Sequence, residues 1–573
     1  MESLDVMAVG GAGRDAEKPR NGLAGLKFWR YDVTAGLMVS LTSLPFSLGI
    51  AVASGAPPIA GLMSAIIAGL IFPFLGGANV TIAGPAAGLA PALFAAMTVL
   101  GHGHLDRGYP LLLAVICVVG MVQVVLSLAG AAKLSAAFPA AVVEGMLAAI
   151  GLMIIAKEMP HFLGHEYKSH AFFGIMAETP AELGVMKPAV FSLGMFCLAL
   201  LFVMSHPRLR ARLQVPPPLI VVVVGAVLGR FLGLSGNDLI RIPDNVLEHG
   251  ITAPNFRGLI ADPTVWYAAA VAVVTLVLID GVESLATIKA IDRIDPYRRT
   301  SDPDRTLLSM GVSNILSSLA GGLTIIPGGV KSKLCVVSGG KTLWANFYNA
   351  LFLVAFLALG RGLINLIPYS ALAAILIHTG YKMCEPAVWR HVAHVGKEQL
   401  ALFSFTVLVT LATDLLVGIF AGMFLKLLLH LAYTRRHVWT RGGRPETLAE
   451  AAGRGFEHLA QLFRNPVTER YASPEGFHLV VDRPLVCFNA LHLNRELERI
   501  PADASDVYLH IGGNVAMIDH TSLDGLLRFS EDFAEAGRGR VEVLGLDRLR
   551  KTSHADHGIR IAPAPGPANV LPS

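Results

Sequence analysis

The chain has 573 residues, of which 53% are hydrophobic and 15% are charged, and its mean hydropathy is +0.57. Soluble globular proteins carry about 25% charged residues, so this composition excludes a purely soluble protein and predicts a polytopic α-helical membrane protein whose main partner is the lipid bilayer. The net charge of +4 does not indicate a nucleic-acid partner, and the five cysteines show no disulfide or metal-binding spacing.

Apolar segments separated by polar loops fill the chain as far as residue 432. Several approach the roughly 20 residues that span a bilayer, and their number allows a division into two halves of seven. Segments 85–100 and 328–337 are short and flanked by glycine, so they are predicted to be half-helices. The fourteen predicted segments are 33–54, 58–75, 85–100, 110–130, 139–157, 188–206, 217–233, 264–288, 305–320, 328–337, 343–359, 370–384, 398–412 and 414–432.

Basic residues collect on one side of the predicted membrane. They occur before the first segment and after the sixth, eighth and fourteenth, which are all even-numbered gaps. Cytoplasmic loops carry an excess of lysine and arginine, so we expect both termini in the cytoplasm and the protein in the inner (plasma) membrane. These clusters are Lys18, Arg20, Lys27 and Arg30; Arg208, Arg210 and Arg212; Lys289, Arg293, Arg298, Arg299 and Arg305; and Arg435, Arg436, Arg441 and Arg444.

The two ends of the chain lack the apolar pattern. Residues 1–28 are predicted to form a flexible tail before a transmembrane domain over 29–432. A charged linker over 433–470 leads to a small cytoplasmic α/β domain over 471–562, and the Pro/Ala-rich residues 563–573 are predicted to be disordered. The α/β prediction rests on the β-like runs GFHLVVD, PLVCFNA, DVYLHIGG and RVEVLGL, which alternate with amphipathic helices near 491–500 and 522–535.

The sequence GGLTIIPGGVKSKLCVVSGG, residues 321–340, lies between long apolar runs. Its glycines and proline prevent a continuous helix, so we expect a short extended segment that leads into a half-helix. A helix N-terminus has unpaired N–H groups and a partial positive charge, and Lys331 and Lys333 follow in the first turn. This arrangement predicts an anion site, and a loop with solvated lysines is the alternative.

A second stretch, GGANVTIAGPAAG at residues 76–88, repeats this design in the first half of the chain. Paired hydrophobic segments that are interrupted by glycine and proline indicate a transporter binding site formed by inverted repeats. The two half-helices are therefore predicted to face each other across the bound anion.

The eighth segment contains two acidic residues within apolar sequence. Asp280, Glu283 and Thr287 are spaced i, i+3 and i+7, so they share one helix face. An acid at the centre of a membrane costs about 2.5–3.5 kcal/mol, which makes Glu283 a candidate for binding a proton or cation, while Asp280 has either that role or a structural one. Alternatively, the helix ends near Asp280 and both acids meet water.

Pro45 lies inside the first apolar segment. It predicts a break or kink that places Phe46 and Ser47 near an internal cavity, with a lipid-facing kink as the alternative.

Ordered motifs along residues 29–561 resemble the SulP family of inorganic anion transporters with a C-terminal STAS domain. The motifs are LPFSLGIAVASGAPPIAGL, VTIAGPAAGL, ESLATIKAIDRIDP followed by SMGVSNILSSLAGGL, ALAAILIHTGY, TLATDLLVGI and, in the last domain, VAMIDHTSLDGL. The resemblance implies fourteen segments in two inverted repeats, a core domain that moves against a gate domain, a homodimer, and a secondary transporter rather than an enzyme.

The resemblance also implies site residues. The anion is expected between the half-helices, near Phe46 and Ser47. Glu283 falls on the family's acidic position, with Thr287 four residues later as in sodium-coupled bicarbonate members; proton coupling is the other pattern, and no further cofactor is expected. The predicted substrate-binding residues are Phe46, Ser47, Ala86, Ala87, Gly329, Val330, Lys331 and Ser332, and the predicted coupling-ion residues are Glu283, Thr287 and Asp280.

The chain departs from its relatives at the second half-helix. Relatives commonly have an Arg-Ser pair and a later Asn there, whereas this chain has Lys331, Ser332 and Cys335, and many have Gln where this chain has Phe46. Lysine lacks the planar fork of arginine, so selectivity among sulfate, bicarbonate and chloride stays open. The alternatives are a nucleobase or organic-anion carrier of the same fold, or a regulatory homologue without transport.

In the STAS region, Asp519 is expected at a helix N-terminus. Thr521 and Ser522 follow it as candidate phosphorylation sites, and the domain is a candidate docking site for a cytoplasmic regulator.

Overall fold

A computed structural model of the protein describes residues 18–132, 138–169, 171–210, 215–242, 251–441, 456–457, 459–501, 504–535, 537–553 and 555–563. They fall into two compact units. Within the described residues, the first unit lies in 18–87, Ala96–Gly130 and Ala199–Leu372, and the second lies in Gly88–Ala95, Ala131–Leu198 and 373–563. Most of the predicted N-terminal tail, the middle of the linker and the predicted disordered C-terminus lie outside the described residues.

All fourteen predicted segments correspond to helices, and short additional helices lie in the loops. The helices in the apolar region are α1 (Trp29–Ala53), α2 (Pro58–Leu75), α3 (Ala90–Leu100), α4 (Leu105–Leu128), α5 (Ala140–Leu163), α6 (Phe172–Glu182), α7 (Pro188–Met204), α8 (Pro207–Arg210), α9 (Pro217–Phe231), α10 (Phe256–Ala261), α11 (Trp266–Ile294), α12 (Pro303–Leu319), α13 (Gly329–Val337), α14 (Trp344–Ile364), α15 (Tyr369–Cys384), α16 (Pro386–Val395), α17 (Lys397–Ala412) and α18 (Leu415–Arg441).

Seven helical stretches of the described chain are long and apolar enough to cross a membrane, and shorter apolar helices accompany them. The long stretches are Gly22–Ala53, Pro58–Leu75, Leu105–Leu128, Ala140–Leu163, Pro263–Ile294, Trp344–Ile364 and Leu415–Tyr433, and the shorter ones are Ala87–Leu100, Pro188–Met204 and Pro217–Phe231. The protein is thus a polytopic helical membrane protein.

Each unit contains a pair of helices that approach closely at glycine. In the first unit, a Cβ added to Gly120 of α4 would lie 2.6 Å from the carbonyl oxygen of Gly311 in α12. In the second, a Cβ added to Gly151 of α5 would lie 2.5 Å from the carbonyl oxygen of Gly380 in α15. Small residues permit such contacts between membrane helices, where van der Waals packing drives association.

The C-terminal part of the second unit is the predicted small α/β domain. Its four-stranded sheet has the order β3 (Val467–Ser473), β4 (Gly476–Val481), β5 (Asp506–Ile511) and β7 (Arg540–Leu544). Strands β4, β5 and β7 are parallel, and β3 is antiparallel to β4. The helices α19 (Ala490–Glu498) and α20 (His520–Glu535) connect the parallel strands, because parallel strands need a crossover connection. Three two-residue strands, β6 (Met517–Ile518), β8 (Arg550–Lys551) and β9 (Arg560–Ile561), form a second small sheet.

Two predictions for this domain were wrong. The run PLVCFNA is not a strand, because Asn489 accepts a hydrogen bond from Val486 N and donates one to Pro484 O, which turns the chain into a 3-10 helix. Strand β3 begins inside the predicted helical linker. Its residues are mostly exposed, so it lacks the apolar alternation that identifies a strand.

Of the break or kink predicted at the proline of the first helix, the break is wrong. The helix runs without a break through Pro45, from Trp29 to Ala53. Before it, Gly22–Phe28 forms a 3-10 helix, and Asn21 donates to Ala78 O and accepts from Leu343 N. Residues 18–28 of the predicted flexible tail are therefore attached to the first unit.

Candidate functional site

Two short strands from distant parts of the chain pair within the first unit, and we call the place where they meet the crossing. Strands β1 (Ala83–Gly84) and β2 (Ile326–Pro327) pair antiparallel, with Ala83 opposite Pro327 and Gly84 opposite Ile326. A short helix follows each strand: a 3-10 turn at Ala87–Leu89 that leads into α3, and α13 at Gly329. The sequence therefore predicted correctly that the two interrupted segments form a pair.

Side chains from two helices hold this crossing in place. Asn346 of α14 accepts a hydrogen bond from Ala83 N at 2.8 Å and donates one to Thr81 O at 2.7 Å. Ser332 of α13 accepts from Ile82 N at 2.8 Å and donates to Gly328 O at 2.6 Å. The hydroxyl of Ser332, a predicted substrate ligand, thus joins the backbones of both interrupted segments.

Lys331 lies at this crossing and is 5% exposed. Its Nζ donates to Pro85 O at 3.4 Å, so the ammonium points from the first turn of α13 toward the start of the other short helix. A Cβ added to Gly84 would lie only 2.6 Å from this nitrogen, so a side chain at that position would displace the ammonium. Lys333 is exposed and takes no part.

Glu283, the acid of the eighth predicted segment, does not pair with Lys331. No salt bridge joins Lys331 to Glu283 among the described residues, and Nζ donates a hydrogen bond to a backbone carbonyl instead. The first N–H groups of a helix have no intrahelical partner. A buried ammonium next to two helix N-termini therefore forms a positively charged centre without a described carboxylate to balance it.

Asp280 is connected to the crossing through two amide side chains. Its Oδ2 accepts from Gln123 Nε2 at 2.7 Å, and Gln123 Oε1 accepts from Asn314 Nδ2 at 2.8 Å. Asn314 Oδ1 in turn accepts from Ile325 N, directly before β2, at 2.6 Å. This continuous chain gives Asp280 a structural connection, the second of its two predicted roles. We call Gln123, Asp280, Glu283, Asn314 and Lys331 the half-helix cluster.

Glu283 and Thr287 follow Asp280 along one face of α11, as predicted, because the helix continues to Ile294. Among the described residues, the Oε2 atom of Glu283 is buried and has no hydrogen-bond partner. Thr287 borders the second short helix, since a Cβ added to Gly329 would lie 4.0 Å from its Cγ2. The predicted coupling residues therefore lead along α11 toward the start of α13.

The other predicted substrate residues all belong to the first unit. Phe46, Ser47 and Ala86 are buried, Ala87 is half-buried, and Gly329 and Val330 are exposed at the start of α13. Phe46 and Ser47 occupy the continuous middle of α1 rather than a break. The Oγ atom of Ser47 is buried and has no partner within the described part of the chain.

Three residues that organise this site were not predicted: Gln123, Asn314 and Asn346. Each is a fully buried amide within an apolar helix. A buried amide requires hydrogen-bond partners, so isolated amides in apolar segments were the signal. The sequence does not reveal their partners, which lie 11 to 265 residues away along the chain.

The candidate phosphorylation sites are packed inside the second unit. Ser522 is 3% exposed, and Thr521 Oγ1 accepts a hydrogen bond from Ala140 N at 3.2 Å. Asp519 caps the helix as predicted, because its Oδ1 accepts from Ser522 N at 2.9 Å. A kinase would have to open this contact between α20 and α5 to reach either hydroxyl.

A second buried polar group lies where α18 meets the α/β domain. Lys426 Nζ is 2.9 Å from Glu398 Oε1, and His430 Nε2 is 3.6 Å from Asp519 Oδ2. We call these four residues the junction cluster. His430, Asp519 and the nearby Cys487 bring three potential metal ligands within 4.8 Å of one another. The ammonium of Lys426 interacts with Asp519, and its positive charge opposes a metal ion there.

Interrupted helices with paired N-termini inside a polytopic bundle define a membrane carrier. The comparison with known proteins agrees, since residues 29–406 match the sequence pattern of the sulfate permease family. The chain belongs to this family, whose members are transporters and not enzymes.

Relatives that are named as transporters extend over most of the chain. The bicarbonate transporter BicA of a Picosynechococcus strain is 23% identical and covers 69% of both chains. A probable sulfate transporter of Mycobacterium tuberculosis is 25% identical over 89% of this chain and 88% of its own.

Solved structures share the fold. The transmembrane domain of a cyanobacterial BicA aligns with a TM-score of 0.61 and 23% identity, covering 69% of this chain and 97% of its own. The overall structure of SLC26A9 has a TM-score of 0.61 at 15% identity and covers 90% and 84%. The C-terminal α/β architecture fits a STAS domain.

Proposed function

We propose that this protein is a secondary transporter of small inorganic anions that works by alternating access. Relatives that are named sulfate or bicarbonate transporters support this class of substrate. Sulfate, bicarbonate and chloride are the candidates.

The position of Lys331 is the observation that carries the proposal. Its ammonium is buried, faces the start of the other short helix, and is not balanced by a described carboxylate. An anion between the two N-termini would supply the missing negative charge and receive hydrogen bonds from backbone N–H groups. Ala86, Ala87, Gly329 and Val330 would line that position with backbone rather than with bulky side chains.

Glu283 and Thr287 are the proposed coupling residues. An anion near Lys331 and a proton or sodium ion on Glu283 would be linked, because each changes the electrostatic free energy of binding the other. Asp280 has a positioning role in this proposal, since one of its oxygens is already bound to Gln123.

The proposal includes the domain bounds, the oligomeric state and the orientation of the protein in the membrane. The transport domain is 29–432 and the STAS domain 471–562, in a homodimer in the inner membrane with both termini in the cytoplasm. The STAS domain is a candidate site for a cytoplasmic regulator. Basic residues in the even-numbered gaps support this orientation.

Uptake into proteoliposomes tests the site. We expect Lys331→Met to lower uptake of the transported anion roughly tenfold to a hundredfold, the value of one hydrogen bond to a charged group. Lys333→Met is the matched control, because Lys333 carries the same charge two residues further along the chain, and its side chain is exposed. Equal uptake by the two variants would contradict the assignment of Lys331.

The same proteoliposomes can be used to identify the transported anion and the coupling ion. Labelled sulfate, bicarbonate and chloride, each with separate pH and sodium gradients, identify the ion and its coupling. Uptake of a nucleobase but of none of these anions, or no flux at all, would favour one of the two alternative functions.

A further inference from the structure

A basic pocket lies in the first unit, away from the crossing of the short helices. It is a cavity of about 710 Å³ between the segment before α1, the loop after α2 and the loop between α11 and α12. We define the basic pocket by six of its polar lining side chains, Lys18, Arg20, Asn79, Arg298, Asp302 and Arg305. None of them belongs to the half-helix cluster.

Hydrogen bonds hold the walls of the basic pocket together. Asn21 Nδ2 donates to Ala78 O at 2.8 Å, which attaches the segment before α1 to the loop after α2. Arg299 Nη1 donates to Pro19 O at 2.9 Å, which attaches the same segment to the third loop. The pocket is therefore preformed, and a ligand would not have to order these segments.

Positive charge predominates in the pocket. Arg299, which also lines it, is neutralised by Asp295 at 2.8 Å. Further positive charge in the lining comes from Lys18, Arg20 and Arg305, with Asp302 as the acidic lining residue. That carboxylate already accepts hydrogen bonds from Asp304 N and Arg305 N at the start of α12.

Two lining groups are placed to donate hydrogen bonds. Arg305 Nε is bound to Leu75 O at 3.1 Å, which fixes its guanidinium beside Gly76. Among the described residues, Asn79 Nδ2 is buried in the pocket wall and has no hydrogen-bond partner. Guanidinium groups and an amide donor match the oxygen geometry of a phosphate group.

All three chain segments of the basic pocket lie on the same side of the predicted membrane. They lie before the first predicted membrane segment, after the second and after the eighth, and all are even-numbered gaps. They therefore share the side predicted to be cytoplasmic, where phosphate esters and the negatively charged leaflet are found.

We propose that the basic pocket binds the phosphate group of an organic phosphate ester from the cytoplasmic side. A cavity of this size is typical of sites for organic ligands, and it is larger than one inorganic anion requires. Phe74, which is 61% exposed at the pocket, offers an apolar surface to the organic part of the ligand. A soluble nucleotide and a phospholipid headgroup both supply this chemistry.

Binding to the full-length protein in nanodiscs tests the proposal and distinguishes the two sources. ATP is titrated by calorimetry into nanodiscs of phosphatidylcholine alone. Retention of phosphatidylglycerol is measured by mass spectrometry from nanodiscs that contain both lipids. We expect saturable binding of at least one probe, and a double variant, Lys18→Gln with Arg20→Gln, to weaken it at least about tenfold.

The double variant changes two exposed side chains, so the fold should tolerate it. Arg305→Gln is the second variant and should weaken the same probe. Arg257→Gln is the matched control, because it removes an exposed arginine from an odd-numbered gap and should leave binding unchanged. Binding of neither probe, equal binding by the double variant, or displacement of ATP by an equal concentration of sulfate would overturn the proposal.

Discussion

The half-helix cluster and the junction cluster both bury ionisable side chains, but they balance charge differently. In the junction cluster, the carboxylates of Glu398 and Asp519 have Lys426 and His430 as neighbours. In the half-helix cluster, Asp280 is bound to a neutral amide, and no described cation forms a salt bridge with it or with Glu283. A buried carboxylate with a neighbouring cation is held in one arrangement, whereas a buried carboxylate without one is suited to binding a proton or a cation.

The largest effect on stability is expected in the junction cluster. Lys426→Met leaves Glu398 and Asp519 buried without their cation, which costs about 3–5 kcal/mol. The thermal unfolding midpoint of the purified protein should therefore fall strongly. Lys382→Met is the matched control, since its bond to Glu385 has a similar length, 2.8 Å, but both side chains are partly exposed. That variant should lose about 0–1 kcal/mol. If the two variants lost similar amounts of stability, burial of the ion pair would not explain the effect of Lys426→Met.

A loss of similar size is expected when the amide chain of the half-helix cluster is cut. Asn314→Leu leaves Ile325 N and Gln123 Oε1 without their partner, at about 1–3 kcal/mol for each buried group. Ser313→Ala is the control, because its hydroxyl is buried and has no partner among the described residues. A double-mutant cycle with Gln123→Leu should be non-additive, and additive losses in the unfolding midpoint would show that the two amides act separately.

Acid should weaken the junction cluster. Burial raises the pKa of Asp519, but Lys426, His430 and two backbone N–H groups lower it by more, so the pKa lies below its ordinary value. This contribution to stability is therefore present above the ordinary pKa of about 4 and is lost as the pH falls through the folded-state pKa. The unfolding midpoints of the protein and of Asp519→Asn should differ at neutral pH and converge in acid. A constant difference would contradict this explanation.

A smaller change in stability is expected at Gly84, together with a clear change in transport. Gly84→Ala places a Cβ 2.6 Å from Lys331 Nζ, and the flexible end of the lysine can move. We expect less than about 1 kcal/mol of destabilisation but about a tenfold loss of uptake, because the ammonium is displaced. Gly281→Ala on α11 is the control, since its Cβ would contact nothing within 4 Å. Normal uptake by Gly84→Ala would show that the position of Nζ is not critical.

Glu283→Gln should have almost no effect on stability, because no described cation depends on this carboxylate. The corresponding variant in the junction cluster, Glu398→Gln, removes the partner of Lys426 and should lower the unfolding midpoint. In liposomes, uptake by Glu283→Gln should no longer respond to the pH or sodium gradient that drives the unmodified protein. A Glu283→Gln variant that is strongly destabilised, or that remains coupled, would remove the contrast between the clusters.

The sequence by itself determined the membrane class, the fourteen segments, the two half-helices and the α/β domain. These follow from local patterns: apolar length, glycine and proline interruptions, and alternating strands. Strand β3 and the turn at Asn489 escaped prediction because an exposed edge strand and a side-chain-capped turn leave no apolar pattern.

Only the tertiary structure decided which residues act together at the crossing. Lys331 was visible in the sequence, but its neighbour is Pro85, 246 residues away, rather than Glu283. Asp280 appeared to share the role of Glu283, yet hydrogen bonds through Gln123 and Asn314 connect it to Ile325. Hydrogen bonds between distant segments depend on how the helices pack, and local sequence patterns do not contain that information.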